Sequence, residues 1–300
     1  MTATPPPDNS LDLRSPSIID STYASPGPRS SLMTINSEVY DIEEYGRSYA
    51  AYGSNESLFP NDEEEKDHLE YFHALMSLVL SSKCFCAPIT RLECVLDIGT
   101  GTGRWPMAVG DDHPESHIIG IDVTPMQSIW TSPSEQYQIF DIEQDWTFRE
   151  SHMKPEGWFE WQELDLKHYS EDKTMNRGNK LQQLFEHLSL AIGNLGRKLA
   201  VADDIEELLH KQGFQNIKHD KIKVPLGGWP KDARLKSNGR MRRIELLKGL
   251  QGLVLKPFSK GLGWSREEIE IFLAEVRKDV DRPDIHSMSD LHVIYAQKAP

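Results

Sequence analysis

The stretch Cys94–Trp105, reading C-V-L-D-I-G-T-G-T-G-R-W, constrains this chain more than any other part of it. An apolar run of strand length enters a loop with glycines at alternate positions, Gly99, Gly101 and Gly103. An apolar-patterned stretch through Trp105, Met107, Ala108 and Val109 follows. The pattern predicts a strand, a tight turn and a helix start. Glycines let a backbone approach a ligand closely, and a helix N-terminus offers amide N–H groups to an anionic group. Pro106 fits such a helix only in its first turn, where the missing N–H costs little. A second strand, Ile118–Ile121, runs into Asp122 about twenty residues after the loop, where dinucleotide-type folds place an acid on ribose hydroxyls. A third, Tyr137–Ile142, carries Asp141 near its end. Strands and helices in this order build half of a doubly wound parallel sheet.

Two ligands compete for that half, a dinucleotide such as NAD and S-adenosylmethionine. The dinucleotide fingerprint G-x-G-x-x-G needs a third glycine where this chain has Arg104. The sequence instead reads D-x-G-x-G-x-G, with Asp97 ahead of the loop. An acid there disfavours a pyrophosphate and suits a cationic sulfonium and ammonium ligand. S-adenosylmethionine is the better match, with a NAD-dependent reductase as a third possibility for the chain as a whole. An acid after the third strand, here Asp141, suits the adenine amino group in methyltransferases of this layout; the plainer reading is a loop cap.

The rest of the chain frames this segment. Met1–Leu32 holds six prolines and seven serines without helical or strand period, and reads as a disordered tail reaching to residue 39. After Pro60, Asn61 is placed as a helix cap, and Asp62, Glu63, Glu64 and Glu65 favour the positive end of the helix dipole. Leu69, Phe72, Leu75, Met76, Val79 and Leu80 then form an apolar stripe, which His68 and His73 flank. Cys84, Cys86 and Cys94 offer no disulfide framework, and a lone C-x-C lacks the second pair of a zinc site, so no metal is expected. No apolar run reaches spanning length, and no signal peptide opens the chain, which points to cytoplasm or nucleus. The net charge of −14 argues against a surface that binds nucleic acid throughout.

From Tyr45 onward the chain resembles the LaeA-like methyltransferases of filamentous fungi, a family tied to secondary metabolism. The matching pieces are Tyr45–Tyr49, Leu58–Glu65, Val95–Gly103, Ile119–Asp122, Lys154–Trp158, Trp161–Glu163, Val224–Pro230 and Leu262–Ser265. The glycine motif is general to methyltransferases. The P-N-D-E-E-E and P-L-G-G-W-P segments are particular to this family. The resemblance implies an α/β fold, a doubly wound, mostly parallel Rossmann-like sheet of seven strands that binds S-adenosylmethionine. Asp97, Gly99, Thr100, Gly101 and Gly103 carry over to the methionine moiety, Asp122 to the ribose and Asp141 to the adenine. Arg47 and Tyr49 carry over to an N-terminal element that closes over the donor. The implied layout is a tail at 1–39 and a methyltransferase domain at 40–300. That domain divides into a helical cap at 40–92, a donor-binding half at 93–165 and a C-terminal half at 166–300.

The chain departs from the family after Trp146. Only seven residues, Thr147–Met153, stand where relatives place a strand and a long helix. A parallel crossover needs a dozen or more residues, so one internal βα unit is missing near 147–153. A rearranged sheet, an inactive relative and a transcript that has lost an exon all remain open explanations.

Beyond this link, Trp158–Leu164 alternates as a strand with Glu160, Glu163 and Asp165 near its carboxyl end. His152 and Glu163 are the candidates for deprotonating an acceptor; solvated acids at a strand edge are the plainer reading. Leu181, Leu184, Phe185, Leu188 and Ile192 mark a helix. Another through Ile205, Leu208 and Leu209 closes at Gly213, and Leu291–Ala296 reads as a final strand. Lys211–Lys260 is a basic helical insertion with thirteen Lys and Arg against three acids. It offers a face to an anionic partner, or balances the acidic remainder. Trp229, beside Gly227 and Gly228, is placed to line an acceptor pocket. The reading that results is a methyltransferase acting on a small molecule in fungal secondary metabolism. The alternative is a nuclear regulator of the same family working through velvet-type protein partners, with little or no methyl transfer.

Overall fold

A computed structural model describes residues 39–52, 55–128, 132–142, 153–175, 179–197 and 202–300. The proline- and serine-rich stretch before residue 39, His152 and most of the link at 147–153 lie outside the described residues.

The described chain opens on a hairpin, not on the helices expected for 40–92. Strands β1 (Val39–Glu44) and β2 (Arg47–Tyr52) pair antiparallel, and a short β3 (Asn55–Glu56) adds to β2. Tyr45 and Gly46 make the two-residue turn with φ of 56° and 76°. Positive φ at both central residues matches the twist of the strands it joins. Arg47, Tyr49 and Ala51 alternate onto one face of β2 and are buried. Helix α1 (Glu63–Val79) follows. Its cap is Asp62, whose carboxylate accepts from the Glu65 amide, while Asn61 donates to Asp41 at 2.6 Å.

The donor-binding half forms as expected. Strands β4 (Cys94–Ile98), β5 (His117–Asp122) and β6 (Glu135–Ile139) pair in parallel in that order, with α2 (Arg104–Asp112) crossing from β4 to β5. Pro106 is the third residue of α2, within its first turn.

The second half is antiparallel. After β7 (Trp158–Leu164) come α3 (Lys180–Asn194), α4 (Ala202–Lys211), β8 (Gln215–Pro225), α5 (Ala233–Pro257), α6 (Arg266–Val280) and β9 (Met288–Gln297). A π-helical turn, Phe258–Leu262, extends α5. Strand β9 lies between β7 and β8, antiparallel to both. The expected seven-stranded sheet is thus present as two three-stranded pieces. Among the described residues β4 has one strand partner, and its Leu96 and Ile98 remain 37% and 48% exposed. This is where a strand between β4 and β7 would lie, and seven residues are too few to make it and its crossovers.

The core belongs to the C-terminal half. One cluster joins α3, α5 and α6 through Leu188, Leu250, Phe258, Ile269 and Leu273. Another joins α1 to Leu291, Val293 and Tyr295 of β9 and Leu164 of β7. On the opposite face of β9, Ile294 and Ala296 pack on Leu209 of α4. Each fully buried Leu or Ile contributes about 1.5–3 kcal/mol, which makes these clusters the main source of stability.

Candidate functional site

The loop between β4 and α2 is shaped by three left-handed glycines, Gly99, Gly101 and Gly103, with φ of 77°, 53° and 81°. A side chain at Gly103 would strike Tyr137, whose ring also fills the space above Gly120. The loop spends its amides internally. Those of Gly99 and Thr100 donate to the Ile121 carbonyl at 2.9 and 3.0 Å, and that of Gly103 to the Thr100 carbonyl at 2.9 Å. The Gly101 amide donates to Asp122 Oδ2 at 2.8 Å, while Asp122 Oδ1 accepts from the Thr124 amide at 2.9 Å. Gln127 Nε2 donates to the Gly101 carbonyl at 2.6 Å and fixes the loop from the other side.

The loop therefore offers carboxylates rather than a nest of amides. Burial pushes the Asp97 carboxyl up to about 6; the Thr100 hydroxyl opposes this and the charge of Asp122 adds to it. Burial also raises Asp122, against the pull of the Gly101 and Thr124 amides. Two interacting carboxylates in a poorly solvated site are stabilised by a cation. A pyrophosphate would meet repulsion from both and find the amides at Gly99–Gly101 already bonded. The donor set accordingly fits S-adenosylmethionine: Asp97 and Asp122 are the residues that would hold it, the first by its charge toward a cation and the second by carboxylate oxygens toward hydroxyls.

Helix α1 lies against this loop. The Leu69 side chain lies against Gly101, Arg104 Nε of α2 donates to both carboxylate oxygens of Glu70 at 2.7 Å, and Trp105 Nε1 donates to the Cys84 carbonyl at 2.8 Å. A cavity of about 220 Å³ between α1, α2 and β7 is lined by His73, Met76, Cys84, Trp105 and Gln162 among others. It includes neither Asp97, Asp122 nor a loop glycine, so it is separate from the donor site.

The remaining candidates are scattered. Asp141 is buried just after β6. Glu163 lies one residue before the end of β7, opposite His292 of β9. Burial and the charge of Asp165 push its carboxyl up to about 7, although the residue is exposed enough for water to limit the shift. Glu160 instead accepts from the amides of Cys86 and Ala87. His152 lies outside the described residues. Arg47 and Tyr49 do not reach the donor loop: Arg47 holds Asp62 through contacts of 2.5 and 2.7 Å, and Tyr49 lies under the Lys256 ammonium, 4.4 Å from its ring. Trp229 donates to the Ser287 carbonyl at 3.2 Å and stacks on His286.

The sequence reading missed a buried chain of charge. His68, expected to flank the α1 stripe, bonds Glu65 through Nδ1 at 2.8 Å and Glu245 of α5 through Nε2 at 3.0 Å. Glu245 also holds Arg242. Burial works against a charged His68 ring, but these two carboxylates outweigh it and push it up to about 9. Only the Glu65–His68 spacing, one helical turn, was readable in advance. The free cysteines Cys84 and Cys86 have thiols raised by burial. Among the described residues no group of His, Cys, Asp and Glu is arranged to hold a metal, and no helix is long and apolar enough to cross a membrane.

Comparison with known proteins agrees with the loop. The methyltransferase pytC of Aspergillus terreus is 32% identical over 99% of this chain and 98% of its own length. The secondary metabolism regulator laeA of Aspergillus flavus is 28% identical over 85% of this chain and 77% of its own. The protein-methionine methyltransferase laeA of Emericella nidulans is 28% identical over 85% and 76%. No family profile matches the chain. Among solved structures, phosphoethanolamine N-methyltransferase 2 of Haemonchus contortus in complex with S-adenosyl-L-methionine aligns with a TM-score of 0.45 at 11% identity, over 88% of this chain and 72% of that one. The pytC alignment runs over 326 positions against the 300 residues of this chain, so at least 26 positions of the relative have no counterpart here.

Proposed function

The chain belongs to the LaeA-like S-adenosylmethionine-dependent methyltransferases of fungal secondary metabolism, and from that premise we propose that it methylates a small molecule. The observation that carries this reading is the paired carboxylates, Asp97 and Asp122, at the loop Gly99–Gly103. The end-to-end match to a protein named as a methyltransferase supports methyl transfer, since the laeA relatives leave part of this chain and about a quarter of their own length unmatched.

When bound, S-adenosylmethionine supplies a methyl group activated by its positive sulfur. The chain's own part is mostly to hold two reactants in line, which accounts for much of the acceleration such sites achieve. Asp122, fixed by two backbone amides, would orient the ribose, and Asp97 would favour the cation. Asp141, buried just after β6, would serve the adenine. Glu163, whose carboxyl is raised by burial and by the charge of Asp165, is the candidate for removing a proton from the acceptor.

Incubation of the purified protein with methyl-labelled S-adenosylmethionine and a fungal metabolite extract tests this. Label should enter a small molecule in wild type, and Glu163→Gln should lower turnover about a hundredfold with little change in donor affinity. The relatives named as regulators favour a second reading, in which the acceptor is a protein or the chain acts through partners. Label confined to protein, or to nothing, would favour that reading.

A further inference from the structure

Arg242 on α5 is 2% exposed, yet among the described residues only Nη1 of its guanidinium has a partner, Glu245; Nε and Nη2 have none. Those two N–H groups form the edge that meets a carboxylate with parallel bonds. Two further buried groups lie nearby. His168, 5% exposed, bonds Ser287 Oγ through Nδ1 at 2.9 Å and leaves Nε2 without a partner. Ser289, fully buried, leaves Oγ without one.

Backbone contacts set the elements that carry the three side by side. The Gly227 amide donates to the Gly239 carbonyl at 2.9 Å, and a Cβ at Gly239 would fall on the Gly227 carbonyl, so the start of α5 is pressed against the end of β8. Arg242 follows Gly239 by one turn. Val224 of β8 pairs with Ser289, and the Met288 amide donates to the Tyr169 carbonyl at 2.9 Å beside His168. Burial and then the charge of Arg242 hold His168 well below its usual value, so its ring is neutral. In the tautomer where the Ser287 hydroxyl donates to Nδ1, the hydrogen sits on Nε2, and that tautomer is the one the subsite uses. Aromatic rings flank the group: Phe185 stacks on His168 with centroids 5.0 Å apart, and Trp229 donates to the Ser287 carbonyl. The place is beyond the carboxyl end of β7, the end of the strands at which ligands of doubly wound folds bind.

We propose that Arg242, His168 and Ser289 form a subsite for the carboxylate of the methyl acceptor, which makes the substrate an organic acid. Its role as acceptor rests on the methyltransferase reading above; the anion site itself does not. One guanidinium edge and two neutral donors match a monoanion. A phosphate dianion would bring twice the negative charge of a carboxylate beside the buried Glu245. Bare apolar surroundings would leave the four polar atoms at a desolvation cost, which a carboxylate removes.

Formate and its neutral counterpart formamide are the probes, titrated calorimetrically into the full-length protein, with S-adenosylmethionine titrated separately. Wild type should bind formate saturably and formamide not at all. Arg242→Lys, which keeps the charge and loses the fork, should weaken formate about tenfold, and Ser289→Ala about threefold, both with donor affinity unchanged. If Arg242→Lys fails to fold, Ser289→Ala decides. Equal binding of formate and formamide, absent formate binding, or formate affinity unmoved by Ser289→Ala would overturn the subsite. So would a crystal soaked in formate that shows only water on Arg242. Lost donor binding with formate binding intact would instead count against the methyltransferase reading alone.

Discussion

The parallel sheet β4-β5-β6 and the antiparallel sheet β7-β9-β8 are held by different means and offer a ligand different things. In the first, glycines and backbone amides make the site, and β4 leaves Leu96 and Ile98 exposed along an edge with one partner. In the second, nearly all of β9 is buried, and the helices α1 and α5 beside it join His68 to Glu245, 177 residues apart in sequence. A site made of backbone tolerates a thin core, because short-range geometry fixes it. A site made of buried side chains needs the dense packing of α3, α5 and α6 around it. This is how the chain can lack a central βα unit and still form its glycine loop.

The comparison breaks most readily at Gly249. A Cβ there would land on the His68 ring, so Gly249→Ala should cost about 3 kcal/mol in urea unfolding through overpacking, while the folded fraction binds the donor as before. Next comes pH. Charged His68 stabilises the fold fully below its unfolded value of about 6.5, and the contribution drains as pH rises through about 9. The loss is roughly 3 kcal/mol across that window, and His68→Gln should flatten it in a pH series of thermal unfolding. A smaller effect belongs to the donor half. If Asp97 must be ionised to hold a cation, donor affinity should fall about tenfold for each unit of pH below about 6, and Asp97→Asn should remove that dependence. The gentlest test is hydrogen exchange. Amides of β9 should be protected for longer than those of β4, and equal protection would mean that β4 has a second partner.

Much of the donor half was legible because its signals are local. Gly99, Gly101 and Gly103 fix a loop within a few residues, and the alternation of Trp158–Leu164 gives β7 with its observed ends. Gly213 closes α4 at a φ of 77°, as its place after Leu209 implies. The hairpin at Tyr45–Gly46 was missed because its turn lacks the Asn-Gly or Asp-Gly pair that announces such turns. The charged chain of Arg47, Asp62, His68, Glu245 and Arg242 was invisible for another reason. Each residue alone reads as an exposed charge, and only the packing of α1 on α5 brings them together. The acidic run Asp62–Glu65 shows both levels at once: its dipole and capping role was readable, and its grip on Arg47 and His68 was not.

Calorimetric titration with S-adenosylmethionine tests the central claim most directly, because every step depends on a formed donor site in a chain without its central βα unit. Wild type should bind one donor per chain. Asp122→Ala should weaken binding about tenfold, and Gly101→Asp, placing a branched acid at a φ of 53° against Leu69, should abolish it. Absence of saturable binding to correctly folded wild type, or Asp122→Ala binding as tightly as wild type, would contradict the account.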